Sequence, residues 1–184
     1  MKPVKIAGRL VSLREIESGD AEALHAVYGD PAVAAYMSFT PRTLEQCEAI
    51  VAAAQAEADA EPRRVYMLAI TDPEGKLVGT VRLALEEWSA AQFGMALRAD
   101  HWGRGEGTEA ARLVFGMGFR ELGVHRIWGA RSPRNEASAR LMAALGMTEQ
   151  GIIRSHVPRH GVWEDSITAS ILEDEFEDLA SPLP

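Results

Sequence analysis

Cysteine is almost missing from this 184-residue chain, in which Cys47 stands alone. No internal disulfide can form, which suits a reducing cytoplasm. No catalytic-cysteine motif surrounds Cys47, so it reads as a helix residue rather than a nucleophile. Long apolar runs are missing too. No segment approaches the roughly 20 apolar residues of a membrane-spanning helix. The opening Met1-Lys2-Pro3-Val4-Lys5 lacks the apolar run of a secretory leader. The expectation is a cytoplasmic chain without a membrane partner. Positive charge is short: 19 Lys and Arg face 27 Asp and Glu, a formal charge of −8. Nucleic acid is therefore disfavoured as a partner, since phosphate neutralisation calls for basic patches. An acidic surface favours cationic partners such as amines or basic peptides. Several signatures are absent as well. There is no G-x-x-x-x-G-K-[ST] phosphate loop, no H-E-x-x-H or paired C-x-x-C to hold a metal, and no G-x-S-x-G hydrolase elbow.

What is present centres on His101-Trp102-Gly103-Arg104-Gly105-Glu106-Gly107-Thr108-Glu109-Ala110-Ala111. Three alternating glycines are followed by a segment with helical spacing: Ala110, Ala111, Val114, Phe115, Met117, Gly118 and Leu122. Upstream, Gln92–Leu97 reads as a short apolar strand. A strand, a glycine turn and a helix make an anion site, because backbone N–H groups and the helix dipole converge on one place. The dinucleotide fingerprint G-x-G-x-x-G fails, however, since Thr108 stands where its third glycine would be. From the glycines alone, a phosphate site and a plain strand-to-helix connector both remain open.

The rest of the chain reads as a mixed α/β unit, a single domain over residues 1–184. Residues 8–17 alternate as a first strand, with Val11, Leu13 and Ile16 on one face. Ser18-Gly19-Asp20 caps a helix from about Ala21 to Tyr28. Asp30-Pro31 and Thr40-Pro41 are breaks, and an alanine-rich helix covers about Leu44 to Ala60. Val65–Ile70 and Leu77–Leu83 form a hairpin across the turn at Asp72-Pro73-Glu74-Gly75. Glu86–Ser89 is a second turn, and His125–Ala130 a further strand. A helix follows Asn135 and stops at Gly146. Residues 151–171 are a hairpin with its tip at Pro158-Arg159-His160-Gly161. The acidic stretch 173–178 reads as a solvated helix end.

Trp102-Gly103-Arg104-Gly105-x-Gly107-Thr108-Glu109-Ala110 resembles the coenzyme A pyrophosphate loop of the GNAT superfamily of acetyltransferases. It looks closest to the branch of ribosomal-protein N-alpha-acetyltransferases. Gly105 and Gly107 match the family's Q/R-x-x-G-x-G/A, while Trp102 stands where Gln or Arg is usual. Further along, Asn135-x-x-Ser138 and Leu145-Gly146-Met147 resemble the family's N-x-x-S/A and Leu-Gly-Phe, and Trp163-x-Asp165 resembles this branch. The likeness spans roughly residues 8–172. It implies a GNAT-type fold, a mixed, twisted and mostly antiparallel sheet flanked by helices.

The resemblance also implies acetyl-CoA as cosubstrate, no metal, and acetyl transfer to a primary amine, either a protein N-terminus or a small molecule. A monomer or homodimer is expected. The pyrophosphate would rest on Gly103, Arg104, Gly105, Glu106, Gly107 and Thr108. The pantetheine arm would pair with Met95, Ala96 and Leu97, an N–H of that strand polarising the thioester carbonyl. Asn135 would help hold the pantetheine end. Many of the superfamily carry a tyrosine seven residues after the asparagine, where this chain has Met142. Ser138, four residues earlier on the same helix face, would protonate the departing thiolate instead, or else merely cap the helix. An attacking amine must lose a proton, and a carboxylate acting through water is the expected base. Glu87 leads Glu86 and Asp165 for that role, with His156 and His160 as substitutes. Tyr36, Met37 and Phe39 fall in the region that shapes the acceptor pocket. A non-catalytic acyl-CoA-binding module with the same fold is the rival reading.

Overall fold

The computed structural model describes residues 3–159 and 161–176. Its frame is an eight-stranded sheet. In chain order the strands and helices are β1 (Lys5–Ala7), β2 (Ser12–Glu15), α1 (Ala21–Tyr28), α2 (Pro31–Ala34), α3 (Leu44–Ala58), β3 (Val65–Thr71), β4 (Leu77–Leu85), β5 (Ala90–Leu97), α4 (Glu106–Arg120), β6 (Arg126–Arg131), α5 (Glu136–Ala144), β7 (Thr148–Arg159) and β8 (Val162–Leu172). The strands lie in the order β1-β2-β3-β4-β5-β6-β8-β7. Every neighbouring pair is antiparallel except β5 with β6.

The two-residue period of the strands sorts their side chains between two cores. Tyr66, Leu68 and Ile70 of β3 face α4, in a cluster with Leu13, Val81, Leu83, Phe93, Phe115 and Ile127. The intervening Ala69 faces α1 and α3, with Leu24, Val27, Cys47 and Val51. Phe115 is fully buried and meets Phe93 edge-on at 5.0 Å. Burying one such side chain contributes on the order of 1.5–3 kcal/mol, so α4 is fixed firmly across the sheet. Burial pushes the Cys47 thiol above its ordinary pKa, which fits a packing residue rather than a nucleophile.

Local chemistry explains several helix starts. Thr43 and Gln46 form a reciprocal capping box at the head of α3. Asp30-Pro31, read from sequence as a break, begins α2: Asp30 accepts from the Ala32 N–H at 2.8 Å and Pro31 occupies the first turn. The expected first strand over 8–17 divides. Gly8 donates to the Val11 carbonyl at 3.0 Å, and this turn joins β2 to the additional strand β1. Val11 and Leu13 share the core on the α4 side, whereas Ile16, just beyond β2, packs in the other core with Leu24 and Val27. At the other end, residues 173–175 form a turn instead of a helix end. Phe176 beyond them packs on Phe119 at 5.2 Å. Glu177 and Asp178 lie outside the described residues, as does His160.

Candidate active site

The sheet opens where the parallel β5–β6 pair, the only one among the described residues, ends. β5 and β6 are in register for Ala90–Gln92 against Arg126–Trp128, and the ladder stops there. Beyond it, β5 continues to Leu97 paired only with β4, and β6 continues to Arg131 paired only with β8. The two strands therefore leave a groove of about 650 Å³ between them. Phe93 to Leu97 form one wall, and Ala130 and Arg131 belong to the other. A strand edge without a partner presents backbone N–H and C=O groups. An extended ligand carrying amides can pair with it as an added strand would.

The head of α4 closes one end of this groove. Gly103 and Gly105 have φ of 75° and 80°, in the left-handed region that glycine tolerates and most side chains do not. This conformation turns the chain from β5 into α4 within a few residues. Trp102 ties the turn down, donating its indole N–H to the Leu97 carbonyl at 2.8 Å. The N-cap is Gly105, so no side chain fills the capping position. The first intrahelical bond runs from the Glu109 N–H to the Gly105 carbonyl at 3.0 Å. The N–H groups of Glu106, Gly107 and Thr108 consequently have no acceptor within the helix. A Cβ on Gly107 would come within 3.0 Å of the Met95 methyl, so glycine there lets α4 begin close against β5. Glu109 points the other way and accepts from the N–H groups of Arg9, Leu10 and Val11.

The head of α5 meets the groove from the other side. Asn135 is the N-cap and accepts the Ser138 N–H at 2.9 Å. Capping is thus the work of Asn135, and the Ser138 hydroxyl is not the capping group. Ser138 lines the groove together with Asn135, Leu141 and Met142. Met142 is buried, its methyl lying close against Gly129 of β6.

Met95, Ala96, Leu97, Gly103, Gly105, Gly107, Thr108, Asn135 and Ser138 therefore share one groove. Arg104 and Glu106 are not on its wall. The Glu106 side chain turns to His101, with Oε2 2.6 Å from Nδ1, which leaves only its backbone N–H for a ligand. Arg98 approaches Nε2 of the same ring at 3.0 Å. Because arginine only donates, Nε2 accepts and Nδ1–H donates to Glu106. His101 is one of the site residues the sequence did not reveal, since its burial depends on partners on both sides of the loop.

The carboxylate bases expected from sequence are not in the groove. Glu87 sits in the turn before β5, and Leu97 at the strand's far end leads to the glycine loop. Glu87 and Glu86 instead line a separate depression with Arg64, Trp88 and Leu122, and Glu86 accepts the Trp128 indole N–H at 2.8 Å. Asp165 is exposed on the strand face opposite Ser166, and accepts the Ser155 N–H at 2.9 Å. Among the described residues no Asp or Glu lines the groove. His156 does, beside Val157 and Ser166. Tyr36 and Met37 also lie on the wall, whereas Phe39 packs on Tyr28 at 4.9 Å with Arg42 over its ring. No group of His, Cys, Asp and Glu able to hold a metal occurs among the described residues.

Residues 10–148 match the family described as an acetyltransferase (GNAT) domain. A relative from Bacillus licheniformis, an uncharacterised N-acetyltransferase p20, is 27% identical over 169 residues, covering 90% of this chain and 94% of its own. Ribosomal-protein-S5-alanine acetyltransferase from Vibrio fischeri superposes with a TM-score of 0.82 at 24% identity, covering 95% of this chain and 99% of that one. Mycobacterium smegmatis RimJ, solved in complex with CoA-disulfide, gives 0.81 at 21% identity, covering 95% and 87%. The split sheet, the glycine turn at the head of α4 and the match over residues 10–148 agree: this chain belongs to the GNAT family of acetyl-CoA-dependent N-acetyltransferases.

Proposed function

We propose that the chain transfers the acetyl group of acetyl-CoA to a primary amine, a protein N-terminus or a small molecule, by direct attack in a ternary complex. One observation carries this reading. The acceptor-free N–H groups at the head of α4 and the unpaired edge of β5 open into the same groove. A pyrophosphate fits the first and an amide-bearing arm fits the second. The residues that would hold the cosubstrate are Gly103, Gly105, Gly107 and Thr108 at the phosphates and Met95, Ala96 and Leu97 along the arm. Glu106 would contribute its backbone N–H only, while Arg104 lies exposed on the same turn. Asn135 keeps the head of α5 in place, which leaves the Ser138 hydroxyl to donate a hydrogen bond or proton to the departing thiolate. The test is release of coenzyme A thiol, with acetylated product, across a panel of amines and basic N-terminal peptides. Saturable turnover with at least one acceptor supports the reading. Tight acetyl-CoA binding with no turnover over the panel would point instead to an acyl-CoA-binding module without chemistry.

A further inference from the structure

The β7–β8 hairpin shifts register twice, at Glu149/Gly151 and between Ile153 and Val157, and the second shift bears on the groove. Ile153 pairs with Ser166 and Val157 with Glu164, so β7 takes up more residues than its partner between those two rungs. Such a bulge re-aims the side chains it contains. Its middle residue, Ser155, has φ of 49° although it is not glycine, a conformation sparsely populated without a supporting structure. The support is Asp165, which accepts the Ser155 N–H. The next residue, His156, lies on the groove wall with Val157 and Ser166.

A histidine serving only as structure would have its buried ring nitrogen paired. His156 does not: Nδ1 is sealed from solvent and has no hydrogen-bond partner. The other groove histidine, His101, has Nδ1 and Nε2 engaged by Glu106 and Arg98 at the phosphate end. Carboxylates are absent from the described groove wall, whose other charged groups are Arg131 of β6 and Arg140 of α5. Resting on the amine-acetylation reading above, we propose that His156 is the base that deprotonates the acceptor amine, and that the strained bulge at Ser155 exists to aim it. The ammonium N–H bond breaks and the proton passes to Nε2 of the imidazole, since Nδ1 is sealed, and then to solvent. The freed lone pair forms the new C–N bond at the thioester carbonyl as the C–S bond breaks. A second proton leaves the nitrogen, and its equivalent ends on the coenzyme A sulfur.

The experiment uses the full chain with an acceptor found in the amine panel, as wild type, His156→Gln and His156→Ala. Glutamine keeps size and hydrogen bonding without basicity. Both variants are expected to melt close to wild type and to bind acetyl-CoA within about twofold, while kcat/KM for the amine falls about 10²-fold or more. Added imidazole should restore part of the His156→Ala rate in proportion to its concentration. Full turnover by a folded His156→Gln would overturn the proposal. So would a slow His156→Ala that binds acetyl-CoA but gains nothing from imidazole, since that marks a packing role. A wild type that turns over no amine in the panel would overturn the acetylation reading itself, and this assignment with it.

Discussion

Two neighbouring residues, Asn135 and Ser138, divide labour in a way that can be measured. The Asn135 carboxamide accepts the Ser138 N–H, so Asn135→Ala removes a helix cap. It is expected to lower stability by about 1 kcal/mol, read as a shift in denaturation midpoint. Ser138→Ala leaves that cap intact and should melt like wild type while kcat falls about 10²-fold. The reverse pattern, a destabilised but fully active Ser138→Ala, would count against its role at the sulfur. Asp20 gives a second test. Burial alone would raise its pKa, but hydrogen bonds from the Arg14 guanidinium and the Glu17 N–H outweigh that and hold the carboxyl below the usual range. A lowered folded-state pKa contributes stability above the unfolded value of about 3.9, lost as pH falls through the folded value. Asp20→Asn should therefore cost stability at neutral pH and flatten the acid limb of a stability-versus-pH curve below about pH 4. At this scale the sequence was only half informative. Asn135 and Ser138 could be found from their spacing. Glu87 could not be placed from sequence, because whether the turn before β5 faces the groove depends on packing against Arg64 and Leu122.

Among the elements, α4 depends on a turn that only glycine enters without strain. Gly105 sits at φ 80° with open space around it apart from Leu10. Gly105→Ala therefore tests backbone conformation rather than crowding. It is expected to destabilise by roughly 1 kcal/mol or more and to weaken acetyl-CoA binding by displacing the helix N–H groups. Unchanged melting and unchanged affinity would show that the turn tolerates another conformation. Elements of this kind were legible because glycine alternation and helical spacing announce them. The strands β3, β4 and β5 were legible through their apolar patterning. Neither β1 nor the β7 bulge was. Lys5–Ala7 is too short to show a period, and Ser155 adopts a left-handed conformation that no glycine announces. Asp30-Pro31 was ambiguous by nature, because proline interrupts a helix in its interior and favours one at its first turn.

For the whole molecule, the net charge of −8 draws cationic acceptors toward the surface, yet the groove wall carries Arg131 and Arg140 and, among described residues, no carboxylate. Arg131 is balanced by Glu149 at 2.6 Å. A polyamine thus finds no anionic partner along the described wall, and kcat/KM should be higher for an acceptor with a single amine than for spermidine. The opposite ranking would place the deciding charges outside this wall. On the proposed function, the head of α4 receives the phosphates of coenzyme A. The most direct test of this central claim is calorimetric titration of coenzyme A into wild type, Gly107→Ala and Gly107→Asp, each shown to be folded. Alanine adds a methyl beside Met95, whereas aspartate adds a negative charge where the N–H groups converge. Affinity should fall modestly for alanine and at least about 10-fold further for aspartate. A folded Gly107→Asp that binds coenzyme A as tightly as Gly107→Ala would contradict phosphate recognition by this helix.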